Sequence, residues 1–229
     1  MPESDPFGRW VAHLLENAYG RLVFVVDCSQ TMTFVGHAPP TRSDKFPFVR
    51  RLVAGLGCSA LACGVSVHLV PVGSAGGRRG PILRQWEDHA TWIEVIESLR
   101  PGGARSFGYA VRNQILRGGP DATVVVISDF RDESWRQAIP ALVAGEARVV
   151  LVHVVDASED GDLQSATAEN PETVPFAFER SDPELETPGN AAQVHARLLD
   201  LARDHRMELV GVLTDAEVEG AIVRGTRGS

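Results

Sequence analysis

Leu22 to Val26 is an unbroken apolar run, and it stops at Asp27. A strand with one wet face alternates apolar and polar residues. A run this short, β-branched and wholly apolar belongs to a strand buried on both faces, as inside a parallel sheet. Such a strand forces layers of helix onto both sides of it. Two later stretches have the same character: 122–127 leads into Ser128-Asp129, and 148–155 ends at Asp156. Helical patterns separate the strands. The chain is therefore predicted to be α/β, a doubly wound and mostly parallel central sheet flanked by helices.

The remaining elements follow from periodicity and punctuation. Residues 5–20 have the spacing of a short helix, with Trp10, Leu14 and Leu15 on one face and Gly20 as its stop. Residues 37–42, HAPPTR, read as a turn-rich linker. Ser43 or Asp44 can cap the next helix, whose stripe is Phe48, Leu52, Leu56 and Ala60 and whose end falls near Gly64. Further strands are expected at 65–72 and 208–213, an edge strand within 81–86 and a late strand at 174–178. Further helices are expected at 89–99, 107–116, 190–205 and 215–223, with one capped by Ser134 and running through Leu142. Residues 1–20 are assigned to an N-terminal helical extension. Residues 21–229 are assigned to one domain with an extra C-terminal strand and helices.

Composition narrows the function classes. A chain of 229 residues is long enough for one large α/β domain with a substantial core. A net charge of -8 argues against a general nucleic-acid or anionic-membrane surface. Three cysteines, in no zinc or disulfide spacing, suit reduced thiols in a cytoplasmic protein. The first ten residues hold no apolar signal core. Residues 53–72 carry no Asp, Glu, Lys or Arg, but they break at Gly64 into a helix and a strand, so no membrane span is expected. His153 reads as a core histidine; His13, His195 and His205 read as surface or helix-face residues.

The chemistry gathers where the first strand ends. Asp27, Ser29 and Thr31 place a carboxylate and two hydroxyls in one loop. In open α/β sheets, ligands collect outside such strand ends. Oxygen-only side chains suit a hard divalent cation, Mg²⁺ or Mn²⁺. Asp129, ending another buried strand, can reach the same edge.

Asp27-x-Ser29-x-Thr31, closed by Met32, resembles the metal-ion-dependent adhesion site of von Willebrand factor type A domains. The family pattern is a buried strand followed by Asp-x-Ser-x-Ser, with a last Asp at the end of a later apolar strand. Here that last position matches Asp129. Lys45 opening a helix, the glycine-rich loop at 102–104 and the run Ser128-Asp129-Phe130 resemble one bacterial group of the superfamily. That group includes proteins encoded beside MoxR-type AAA+ ATPases. The resemblance spans roughly residues 20–220. It implies a Rossmann-like fold, a non-catalytic protein-interaction module, and a metal shell completed by an acidic residue of a protein partner, with an AAA+ ATPase as the suggested partner.

One position departs from the family. Its middle ligand is a threonine in a glycine-rich loop, and Arg105 stands there, followed by Ser106. Arginine has only donors and cannot ligate a cation. Two readings stay open. In one, Ser106 stands in through a one-residue slip, giving a metal set of Asp27, Ser29, Thr31, Ser106 and Asp129. Alternatively, the Arg105 guanidinium enters the site and pairs with Asp27 or Asp129 in place of the metal. Asp132 is a further candidate for partner binding.

An enzyme reading competes. Haloacid-dehalogenase-type phosphatases begin with an apolar strand and Asp-x-Asp-x-Thr, which would make Asp27 a nucleophile and Asp129 and Asp132 the late acidic pair. Ser29 stands where that family has its proton donor, which would impair leaving-group protonation.

Overall fold

β1, Arg21–Asp27, lies inside a six-stranded sheet and is buried from Leu22 to Asp27. The structure is a computed structural model and describes residues 6–18, 20–35, 41–42, 45–73, 79–102, 122–131, 134–144, 147–156 and 191–214. Before β1 comes α1, Pro6–Glu16; after it come a 3₁₀ turn at Gln30–Thr33 and the short strands β2, Phe34–Val35, and β3, Thr41–Arg42. Then follow α2, Lys45–Ala62; β4, Ser66–Val72; β5, Ile82–Leu83; and α3, His89–Glu97. The later elements are β6, Ala122–Ser128; α4, Trp135–Val143; β7, Arg148–Val155; α5, Ala191–His205; and β8, Glu208–Leu213.

The sheet order is β5-β4-β1-β6-β7-β8. Every pairing is parallel except that of β5, which closes one edge antiparallel to β4. β1 pairs with β4 on one side and β6 on the other, so the chain runs outward from β1 in both directions. The crevice where the direction reverses lies at the ends of β1 and β6, where Asp27 and Asp129 stand.

Both faces of β1 are covered, as its unalternating sequence requires. Leu22, Phe24 and Val26 join one core with residues of α1, α2 and α3. Val23 and Val25 join the other, with residues of α4 and α5. β6 divides in the same way, with Val125 and Ile127 on the first face and Val124 and Val126 on the second. On the first face α2 and α3 approach very closely at Gly57. A Cβ there would fall 2.1 Å from the Trp92 indole, which is buried and donates Nε1–H toward the carbonyls of Val53 and Ala54.

Most expected elements are present within a few residues of their predicted bounds. The uncharged stretch 53–72 does break at Gly64, whose φ of +74° turns the chain from α2 into β4. No helix among the described residues is long and apolar enough to cross a membrane. Three points differ. Part of the expected linker at 37–42 is the short antiparallel pair β2–β3, which has too few residues to show a period. Ser134 precedes α4 with helical dihedrals and makes no side-chain cap hydrogen bond. His195 is 7% exposed, because α5 turns it onto His153 of β7. The helix expected at 107–116, the strand at 174–178 and the helix at 215–223 lie outside the described residues.

Candidate functional site at the carboxyl edge of the sheet

The loop after β1 is clamped before any side chain acts. The Cys28 N–H donates to the Val72 carbonyl at 2.7 Å, and the Gly102 N–H donates to the Cys28 carbonyl at 2.9 Å. Met32, fully buried, anchors the far end of the turn. Gly73 lets β4 end against this loop: its φ is +70°, and a Cβ would lie 3.1 Å from the Ser29 nitrogen. A side chain there would be strained and would push the loop away.

Asp27 is 2% exposed, and both of its oxygens hold structure. Oδ1 accepts the Ser29 N–H at 2.8 Å; Oδ2 accepts the Ser128 hydroxyl at 2.6 Å. Ser128 Oγ in turn accepts the Phe130 N–H at 2.8 Å, tying the end of β6 to the end of β1. Ser29 and Thr31 hydroxyls are hydrogen-bonded to each other at 2.9 Å. Thr31 Oγ1 donates to Asp129 Oδ1 at 3.1 Å, which the Arg131 N–H also approaches at 3.3 Å. Asp27, Ser29, Thr31 and Asp129 are therefore brought together as the sequence pattern implies. Arg105, Ser106 and Asp132 lie outside the described residues.

Lys45 enters the sequence pattern only as the opening of a helix, and its place in the site was missed. It is fully buried, and its Nζ donates to Asp129 Oδ2 at 2.9 Å. The Arg131 Nε lies 3.8 Å from the same oxygen. A signal for Lys45 was available. Phe48, Val49, Leu52 and Leu56 form the buried stripe of α2, and Lys45 continues it by one turn. The sequence stripe from Phe48 to Ala60 does not by itself show that Lys45 is buried with it.

A divalent cation does not fit the described residues as they stand. The geometry of the Ser29 and Thr31 hydroxyls would suit one, but the charge does not. Asp129 already faces the Lys45 ammonium, and Arg131 stands nearby. Asp27 has both oxygens engaged in holding the loops. The phosphatase reading draws nothing from this arrangement either. An attacking carboxylate needs a free, ionised oxygen. In Asp27 both oxygens already accept hydrogen bonds, from Ser29 and Ser128; burial and the adjacent Asp129 charge push the carboxyl up from 3.8 to about 6, which still leaves it mostly ionised at neutral pH.

Behind the site lies a histidine pair. His153 and His195 face each other with Nδ1 atoms 3.1 Å apart, and His153 also hydrogen-bonds the Asp129 main chain. Burial holds His153 well below 6.5, helped by the positive charges of His195, Lys45 and Arg131. Burial lowers His195 to about 4.

These groups oppose each other in acid. Folded Asp27 keeps its proton to higher pH than the unfolded chain does, so its contribution is largest in acid and fades as pH rises from about 4 to about 6. Each buried histidine stabilises the fold above 6.5, and that stability is lost as pH falls toward its folded value. Asp27→Asn is expected to steepen the loss of stability between pH 6 and 4, and His195→Leu to flatten it, each by about 3 kcal/mol across the window. Urea melts at a series of pH values check this; parallel pH profiles for wild type and both variants would refute it.

No family model matches the chain, and no curated protein matches it in sequence. Solved structures do match. An aerotolerance-related membrane protein from Bacteroides fragilis NCTC 9343, with multiple mutations to serines, is 18% identical with a TM-score of 0.50, over 91% of this chain and 99% of that one. The SpRpn10 VWA domain is 11% identical with a TM-score of 0.52, over 90% of this chain and 94% of that one. With the six-stranded sheet, its strand order and its two helical layers, the chain has a von Willebrand factor type A-like fold.

Proposed function

We propose that this domain is a non-catalytic protein-interaction module that docks its partner at the carboxyl edge of β1 and β6. One observation carries the reading. The polar groups at that edge are spent on holding each other and the loops in a fixed shape, with Asp27 bonded through both oxygens and Asp129 through both of its own. A rigid polar rim at a topological switch point suits recognition. The partner would present an Asp or Glu above Ser29, Thr31 and Asp129, where the partly exposed Arg131 supplies positive charge at the rim. The sequence likeness around Lys45, residues 102–104 and Ser128-Asp129-Phe130 makes a MoxR-type AAA+ ATPase the first candidate partner. The cytosol is the proposed compartment, on the odd count of cysteines in no disulfide spacing.

The test is binding of the purified chain to a MoxR-type AAA+ ATPase, measured by interferometry. Arg131→Glu is expected to weaken binding about tenfold or more, by placing like charges opposite the partner's acid. Equal affinity for wild type and Arg131→Glu would move the docking surface elsewhere. No binding by wild type would remove the candidate partner.

A further inference from the structure

From the geometry around Asp129 we infer that Lys45 is the built-in cation of the strand-end site, so that the site keeps its shape, and docks a partner, without a divalent metal. The inference rests on the docking reading for its purpose but not for its test. Three observations converge on it.

The first is placement. Lys45 is the first residue of α2, where the helix dipole disfavours positive charge. It is also fully buried, where desolvation disfavours any charge. A lysine held against both costs needs a strong opposing interaction, and Asp129 provides one at 2.9 Å.

The second is the oxygen cradle. Ser29 Oγ and Thr31 Oγ1 are 2.9 Å apart. Neighbouring ligands of an octahedral Mg²⁺, each about 2.1 Å from the ion, stand about 3.0 Å from each other. Asp129 Oδ1 adjoins Thr31 at 3.1 Å. These spacings are those of the hydrogen bonds the three side chains make with one another, and a small cation's ligands would stand about as far apart; the counter-charge to Asp129 is already supplied through Oδ2 by the ammonium.

The third is tethering. A metal is recruited from solution and lost to a chelator. The Lys45 ammonium arrives with α2, whose residues Phe46, Phe48, Val49 and Leu52 are buried in the core. Its local concentration is set by the fold. A divalent cation entering beside it would meet like charge at close range.

The test uses the full chain without any partner, so its outcome is separate from whether docking occurs. Wild type is expected to show no Mn²⁺ binding by electron paramagnetic resonance at millimolar metal, and the same melting temperature in Mg²⁺ and in chelator. Lys45→Ala is expected to melt about 10 °C lower in chelator. It is also expected to gain Mn²⁺ binding and to recover part of that loss in Mg²⁺ or Mn²⁺. Lys45→Met combined with Asp129→Asn, which removes both charges, is expected to melt above Lys45→Met alone. The double variant keeps the idea testable if Lys45→Ala fails to fold. Mn²⁺ bound by wild type would overturn the inference. So would a Lys45→Ala protein that melts like wild type, or one that no divalent ion rescues. A double variant no more stable than Lys45→Met would overturn it as well.

Discussion

A chain lacking residues 1–20 is expected to be unfolded under conditions where the full chain is native. α1 contributes Phe7, Trp10, Val11, Leu14 and Leu15 to the same core as Leu22 and Phe24 of β1 and Val53 and Leu56 of α2, none of the five more than 6% exposed. Phe7 and Trp10 lie ring to ring at 5.3 Å. Burying a side chain of this kind is worth about 1.5–3 kcal/mol, so the helix supplies on the order of 10 kcal/mol. The whole stability of a domain is about 5–15 kcal/mol. The residue just past α1 is fastened as well, since Arg148 of β7 donates to the Asn17 carbonyl at 3.1 Å. Far-ultraviolet circular dichroism and thermal melting of the truncated chain check this. A cooperative melt near the wild-type temperature would show that residues 1–20 are a dispensable extension.

Asp129→Ala is expected to cost about 3–5 kcal/mol. The loss is larger than that of an ordinary ion pair because Lys45 stays behind, fully buried, with its ammonium deprived of the carboxylate at 2.9 Å. Thr31 loses its acceptor in the same change, so the turn after β1 loosens too. Asp129→Asn keeps an oxygen for Lys45 and is expected to cost less. Urea unfolding at neutral pH measures both, with the slope of each transition confirming that the same surface is exposed. A loss of under about 1 kcal/mol for Asp129→Ala would equate the pair with a solvent-exposed salt bridge. The electrostatic account of the site would then fail.

The two expectations differ in how far they were legible without coordinates. The α1 stripe was visible as Trp10, Leu14 and Leu15 at helical spacing, yet its target was not. Periodicity says which face is apolar and never what covers it. The Asp27 loop was legible more fully, because a local spacing of oxygen side chains after a buried strand carries its own chemistry. Asp129 was legible through the same strand context. The His153–His195 contact was not, since the residues lie far apart in sequence and each alone resembles an ordinary core or helix-face histidine.

Local pattern therefore determined the class of fold, the buried strands and the edge at which polar groups would collect. These follow from burial on both faces and from short-range spacing, which a linear chain displays directly. The tertiary structure alone brought Lys45 to Asp129. That depends on how α2 packs across the sheet, and packing brings Lys45 to a carboxylate 84 residues away. Sequence spacing holds no record of such a meeting, because it is set by the summed geometry of every element between the two.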